Sequence, residues 1–185
     1  MEYFKNNQQS LSEKILSNQR IGEEEALALF NDFNLPQLAL LATHRKESIS
    51  GNKVFYNRNI HIEPTNICVY NCRFCSYRAS SEADSYIFPA DKIIEKISAV
   101  AGNITEVHIT GGVHPDWGIY FFADLLKKIK TNFPHIHIKA FTAVEVAYMC
   151  NIDKLEIADG LRILKDAGLS SLPGGGAEIF DAVRE

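Results

Sequence analysis

The sequence lacks any long apolar run, any excess of basic charge and any abundance of cysteine. No hydrophobic stretch approaches the ~18 to 20 residues that a bilayer crossing requires, so a membrane partner is not expected. The opening MEYFKNNQQS has no apolar centre of the kind an export signal carries. The expected location is a cytoplasm that keeps thiols reduced. Lys and Arg number 19 against 23 Asp and Glu, a formal charge of −4, which offers no cationic field to gather nucleic acid. Disulfides are rare in a reducing cytoplasm, and three of the four cysteines lie in one tight cluster, which more often binds metal or does redox chemistry. What is present is material for a real core: 185 residues, 46% hydrophobic and 10% aromatic. These features favour a small-molecule substrate.

The chain divides by pattern. Residues 1–55 read as a helical extension rich in Gln, Asn, Glu and Lys, with no strand signal before Val54. SLSEKI has the form of a capping box with Ser10 as cap and Glu13 as its partner, placing Leu11, Ile15 and Leu16 on one face. EEEALALFNDF puts carboxylates in a first helical turn, where the macrodipole favours them, with Leu27, Phe30 and Phe33 together behind. A third helix starts at Pro36 and runs through Leu38 and Leu41. The expected role of this segment is packing rather than chemistry.

Residues 56–185 alternate short β-branched runs with helical ones, the pattern of a parallel α/β sheet or barrel. The strand runs are NIHIEPTN, ITEVHITGG and HIHIKAFTA, with a weaker fourth at LSSLPGGG. Helical spacing links Ile93, Ile94, Ile97 and Val100, then Tyr120, Phe121, Leu125 and Ile129. A further helix is expected over roughly 153–167, ending at Gly168.

Side chains alternate across a strand with period two. One face collects Ile60 and Ile62, Val107 and Ile109, and Ile136, Ile138 and Ala140. The other collects His61, Glu63 and Thr65, then Glu106, His108 and Thr110, then His137, Lys139 and Phe141. A barrel interior is ordinarily filled by Val, Ile and Leu. A lining of His, Glu, Thr and Lys points instead to a cavity for a polar ligand.

Cys68, Cys72 and Cys75 form a C-x3-C-x2-C run directly after the first of these strands. In parallel barrels, loops at the C-terminal ends of strands carry the active site. A structural zinc or an iron–sulfur cube ordinarily takes four protein ligands, so three leave one metal position open. Cys150, in VAYMC, reads as a small buried apolar residue.

CVYNCRFC resembles the signature of the radical S-adenosylmethionine (SAM) superfamily, with Phe74 at its aromatic position. HITGGVHPDW is similar to the superfamily's glycine-rich stretch, with Thr110, Gly111 and Gly112 at a strand end. The resemblance implies a radical SAM-type (βα) barrel in which Cys68, Cys72 and Cys75 hold three irons of a 4Fe–4S cluster. The fourth iron is then chelated by S-adenosyl-L-methionine, and one electron releases a 5′-deoxyadenosyl radical. An electron donor such as flavodoxin or ferredoxin is the implied partner.

HIEPTNICVYNCRFCSY, GGVHPD, KAFTAVEV and LKDAGLSSLPGGGAEIF together resemble the aminofutalosine synthases of menaquinone biosynthesis, over roughly residues 20–185. Cyclic dehypoxanthine futalosine synthase and the second subunit of FO synthase are similar alternatives. The first resemblance implies addition of the adenosyl radical to 3-(1-carboxyvinyloxy)benzoate, then rearrangement and loss of carboxyl to give aminofutalosine. Under it, Lys139 is a candidate partner for a substrate carboxylate. His61, Glu63 and His108 are candidates for orienting substrate or moving protons. Phe74, Thr110, Gly111, Gly112, Glu145 and Glu178 are the cofactor-binding candidates. His114, before Pro115, is either a turn residue or a ligand.

The resembled enzymes are built on a complete barrel, whereas about four βα units are expected here. A fragment of a longer product is therefore expected, or a partner that completes the barrel, and this chain alone is not expected to be active. Two rivals remain. One is a non-catalytic zinc module closed by a histidine or Cys150, and the other is a radical enzyme acting on tRNA, which the acidic charge disfavours.

Overall fold

Capping and charge decide where the first helices begin. The computed structural model describes residues 6–174, and the chain divides into two units, Met1–Tyr56 and Asn57–Glu185. The first contains α1 (Asn6–Leu16), α2 (Glu23–Asp32) and α3 (Leu35–Ser50). The Glu25 carboxylate pairs with the Lys14 ammonium at 2.7 Å and accepts from the Gly22 N–H at 2.7 Å. Those two contacts hold its pKa below the ordinary value. Asn34 caps α3 by accepting from the Gln37 N–H at 3.0 Å, while the Gln37 side chain accepts from the Asn34 N–H at 3.0 Å. Pro36 lies in the first turn of this helix, where a missing N–H costs nothing.

Two expectations fail in this unit. Ser10 is not a cap: α1 already runs from Asn6, so the backbone donors near Ser10 have helical partners, and the hydroxyl bonded to the backbone is that of Ser12, donating to the Gln8 carbonyl at 2.8 Å. Leu27 and Phe30 are exposed while Phe33 is buried. Sequence spacing placed the three on one side, but only the residue at the helix terminus finds a covering.

The second unit is built on three parallel strands in the order β1 (Asn59–Ile62), β2 (Glu106–Ile109) and β3 (His137–Ala140). Parallel neighbours need crossovers of a dozen residues or more, and these contain α4 (Ala90–Ser98) and α5 (Ile119–Asn132). α6 (Ala143–Asp153) and α7 (Ile157–Asp166) follow β3. One core joins Ile62, Val107, Ile109 and Ile138 of the sheet to Ile97 of α4, Leu126 of α5, Met149 of α6 and Leu164 of α7. Burying one such side chain contributes about 1.5–3 kcal/mol. The helices therefore cover the apolar sheet face, and the His, Glu and Lys positions project from the other.

Two further corrections come from backbone geometry. The helix expected near 153–167 is α7, which starts only at Ile157 because left-handed Lys154, φ 55°, first ends α6. VAYMC lies within α6, and Cys150 is buried there, as its apolar character suggested. Phe141 leaves the polar face: its φ of 66° turns the ring back to the helix side, where it meets Phe122 at 4.8 Å between centroids. The fourth strand run is represented by one parallel bridge between Lys139 and Ser171, with the Ser170 N–H donating to the Ile138 carbonyl at 2.8 Å. Gly168 ends the last helix as expected, with φ 113°.

Candidate active site

The segment joining β1 to α4 is long, and buried polar side chains give it a fixed neck. The Phe88 N–H donates to the Pro64 carbonyl at 2.8 Å, and Thr65 forms an antiparallel bridge with Ile87. Buried Thr65 donates through Oγ1 to the Tyr86 carbonyl at 2.6 Å and accepts from the Ile67 N–H at 3.0 Å. Buried Asn66 donates through Nδ2 to the Asp84 carbonyl at 2.9 Å and accepts at Oδ1 from the Tyr86 N–H at 2.8 Å. The Tyr77 and Tyr86 hydroxyls are hydrogen-bonded to each other. Burial, then the Tyr86 hydroxyl, push the Tyr77 phenol well above its ordinary pKa, so it stays protonated.

This neck presents the cysteine loop to the end of β2. The Val69 N–H donates to the Val113 carbonyl at 2.9 Å, and the Gly112 N–H to the Thr65 carbonyl at 2.8 Å. A Cβ on Gly112 would lie 2.2 Å from the Ile67 carbonyl oxygen, so only glycine permits this approach. Behind it, Glu145 caps α6, accepting from the Thr142 N–H at 2.7 Å with one oxygen and from the Gly111 N–H at 3.3 Å with the other. Burial raises the Glu145 pKa, and those donors oppose the rise.

Within the loop, Cys68 is partly buried while Cys72 and Cys75 are exposed, and all three are free thiols. Arg78 closes the loop on itself, donating from Nε to the Cys68 carbonyl at 3.0 Å and from Nη1 to Asn71 Oδ1 at 3.2 Å. Phe74 is 91% exposed. Among the described residues no three His, Cys, Asp or Glu side chains form a group arranged to hold a metal ion. The donor chemistry nevertheless fits an iron–sulfur cluster: three unpaired thiols on one anchored loop match iron in softness and charge.

The polar sheet face lies below. His61, His108 and Lys139 are register partners across the three strands. The His61 and His108 rings stack with centroids 5.0 Å apart. His61 Nε2 meets Thr110 Oγ1 at 2.9 Å, and its Nδ1 lies 3.8 Å from Glu63. His108 Nε2 is buried with no hydrogen-bond partner among the described residues. Burial, then the charges of His61 and Lys139, hold the His108 pKa below its ordinary value, which keeps the ring neutral at neutral pH.

A family model described as the radical SAM superfamily matches residues 62–184. The chain belongs to the radical SAM superfamily. Enzymes of this superfamily use a 4Fe–4S cluster and S-adenosylmethionine. The chain is similar to the aminodeoxyfutalosine synthase of Thermus thermophilus, 34% identical over 172 residues, covering 92% of this chain and 46% of that protein. It is also similar to the 5-amino-6-(D-ribitylamino)uracil--L-tyrosine 4-hydroxyphenyl transferase of Methanothermobacter thermautotrophicus, 37% identical over 165 residues, covering 87% of this chain and 45% of that protein. The chain thus spans about half the length of the curated relatives it matches. The crystal structure of HydG, a maturase of the FeFe hydrogenase, shares the fold with TM-score 0.60 and 19% identity, covering 89% of this chain and 45% of that one. The radical SAM chain is therefore α/β with a small parallel sheet, as part of a radical SAM barrel.

The structure brings the sequence candidates into two groups. The loop that carries Cys68, Cys72 and Cys75 is tied to the Gly111–Gly112 segment through Val69–Val113 and Gly112–Thr65, with Glu145 behind, while the three thiols themselves are not gathered into one group. His61, Glu63, His108, Thr110 and Lys139 share the polar face. Glu178 lies outside the described residues. His114 holds its turn, with Nδ1 accepting from the Asp116 N–H at 3.2 Å and its ring stacked on Trp117. Sequence reasoning placed Thr65 on the polar face, whereas it is buried in the neck, and it missed Asn66, Tyr77, Tyr86 and Arg78. The available signal was Thr-Asn directly after a strand and before the cysteines, where polar side chains commonly bond to nearby backbone.

Proposed function

We propose that this chain carries the cluster-binding and cofactor-binding part of an aminofutalosine synthase, with Cys68, Cys72 and Cys75 as the iron ligands. Its substrate is 3-(1-carboxyvinyloxy)benzoate and its electron source a one-electron protein donor of the flavodoxin or ferredoxin kind. The observation that carries this reading is the attachment of the cysteine loop to the Gly111–Gly112 segment, through Val69 to Val113 and Gly112 to Thr65. It puts the thiols and the glycine-rich backbone at the same end of the sheet. When bound, the cluster and S-adenosylmethionine supply the 5′-deoxyadenosyl radical.

The chain's own residues position and shield. The Thr65–Asn66 neck fixes where the loop leaves the sheet, and Glu145 fixes the Gly111 amide against α6. Thr110 and Glu63 hold the His61 ring, which stacks on His108. Neutral His108 and charged Lys139 orient substrate there, and the apolar core behind them closes that side to water.

The test uses full-length protein reconstituted with iron and sulfide without oxygen. A brown protein absorbing near about 400 nm and bleached by dithionite is expected, and a colourless protein holding one zinc would reject the cluster. Addition of S-adenosylmethionine, a reductant and the enolpyruvyl benzoate should then give aminofutalosine by mass spectrometry. A second reading follows from the 37% identity to the tyrosine transferase. Product from L-tyrosine and the ribityl-uracil, with none from the benzoate, would select it.

A further inference from the structure

The polar face contains an unbalanced corner. Its carboxylates are already engaged: Glu63 faces His61 at 3.8 Å, and buried Glu106 accepts from Asn57 Nδ2 at 3.2 Å and faces His137 at 4.0 Å. Neither ion pair involves Lys139. His108, between His61 and Lys139, keeps Nε2 buried and without a partner among the described residues. An unmet buried nitrogen is costly, and here it stands beside a cation that has no ion pair among the described residues.

We infer that the His108–Lys139 edge of the row is a carboxylate subsite, with Lys139 as fixed cation and His108 Nε2 as hydrogen-bond donor. This deepens the functional reading above and rests on it for the identity of the substrate. Register places the two residues on adjacent strands about 4.8 Å apart, a span that the two oxygens of one carboxylate can bridge. The same chemistry serves two sources: a benzoate-type substrate, and the L-tyrosine in the name of the transferase relative. The stacked His61 ring, fixed by Thr110 Oγ1, holds the His108 ring at the angle that aims it.

Proton linkage follows from the groups that face His108. His61 on β1 and Lys139 on β3 disfavour its protonation, as burial does, while Glu106 on its own strand favours it, and Glu63 acts through His61. A carboxylate arriving beside the ring adds a negative charge and stabilises the imidazolium. Binding therefore takes up part of a proton, and affinity declines as pH rises through the value that the ring has in the complex.

The test is calorimetry on the full-length, cluster-loaded enzyme with S-adenosylmethionine and no reductant, in two buffers of different ionisation enthalpy. The ligands are 3-(1-carboxyvinyloxy)benzoate, L-tyrosine and the carboxamide of each. The acid should bind at least tenfold tighter than its amide and take up a fraction of a proton. Lys139→Gln should weaken the acid roughly tenfold to a hundredfold and leave the amide unchanged, and Lys139→Arg should restore it. His108→Gln should keep measurable binding but abolish proton uptake. Equal affinity for acid and amide, or equal weakening of both by Lys139→Gln, would overturn the subsite. Preference for L-tyrosine over the benzoate would overturn the substrate assignment alone. Should no cluster form, the acid–amide comparison is made on the cluster-free chain and decides the subsite by the same criterion.

Discussion

Gly112 lies directly against Ile67, close enough that a Cβ at position 112 would stand 2.2 Å from the Ile67 carbonyl oxygen. The obstacle is backbone, not the far end of a side chain, so it cannot turn away. The glycine-rich stretch and the cysteine loop are thereby one packed unit.

Gly112→Ala should push the cysteine loop off the end of β2. Overpacking of this kind costs about 1–3 kcal/mol, and iron retention after reconstitution should fall with it. Gly102→Ala is the control, because nothing lies within 4 Å of its Cβ position. Denaturant unfolding and iron analysis of both variants check the expectation. Equal behaviour of the two would remove the packing argument.

Glu145→Gln should destabilise the chain by about 1–3 kcal/mol, since one amide oxygen cannot accept from both the Thr142 and the Gly111 N–H. The pH dependence has a definite sign. The folded-state pKa of Glu145 is raised by burial, so its contribution is fully present below the ordinary carboxylate value near 4.5. It is lost as pH rises through the raised folded value. Urea unfolding across that window should show this decline in the wild-type chain and its absence in the variant.

His108 and His114 titrate in the opposite sense. Burial leads in lowering both, with His61 and Lys139 adding to it at His108 and Asp116 opposing it at His114. Their stabilising contribution is present above the ordinary value of 6.5 and is lost as pH falls through the lowered folded values. Stability measured from pH 7.5 downward should fall less steeply in His108→Gln and His114→Gln than in the wild-type chain. An unchanged slope in both variants would show that other groups set the acid limit.

Arg78→Lys should loosen the cysteine loop without unfolding the sheet. The guanidinium donates through two nitrogens to two acceptors, the Cys68 carbonyl and Asn71 Oδ1, and an ammonium cannot reproduce that fork. The side chain is exposed, so the effect on global stability should be below about 1 kcal/mol. Iron loss to a chelator, followed at the cluster's absorbance, should nevertheless be several-fold faster than in the wild-type protein.

Much of this was legible in the chain. Cys68, Cys72 and Cys75 stood out by spacing, the Gly111–Gly112 pair by its place after a strand, and the His61, His108 and Lys139 face by period two. These are local properties: spacing and alternation survive as geometry because a strand or loop maps neighbouring residues to fixed directions. Where local pattern misled, a distant contact or a backbone turn had intervened. Phe141 belonged to the polar face by count, yet a positive φ carried it into the core.

The sequence alone determined the ligand chemistry, the alternation of strand and helix, and the polar lining of one sheet face. Tertiary structure decided what those residues do to one another. It set Gly112 against Ile67, gave Glu145 both the Thr142 and Gly111 amides, and left His108 Nε2 beside Lys139 with no hydrogen-bond partner among the described residues. Register and loop closure fix such distances, and both arise from pairings between residues tens of positions apart, which no local pattern encodes.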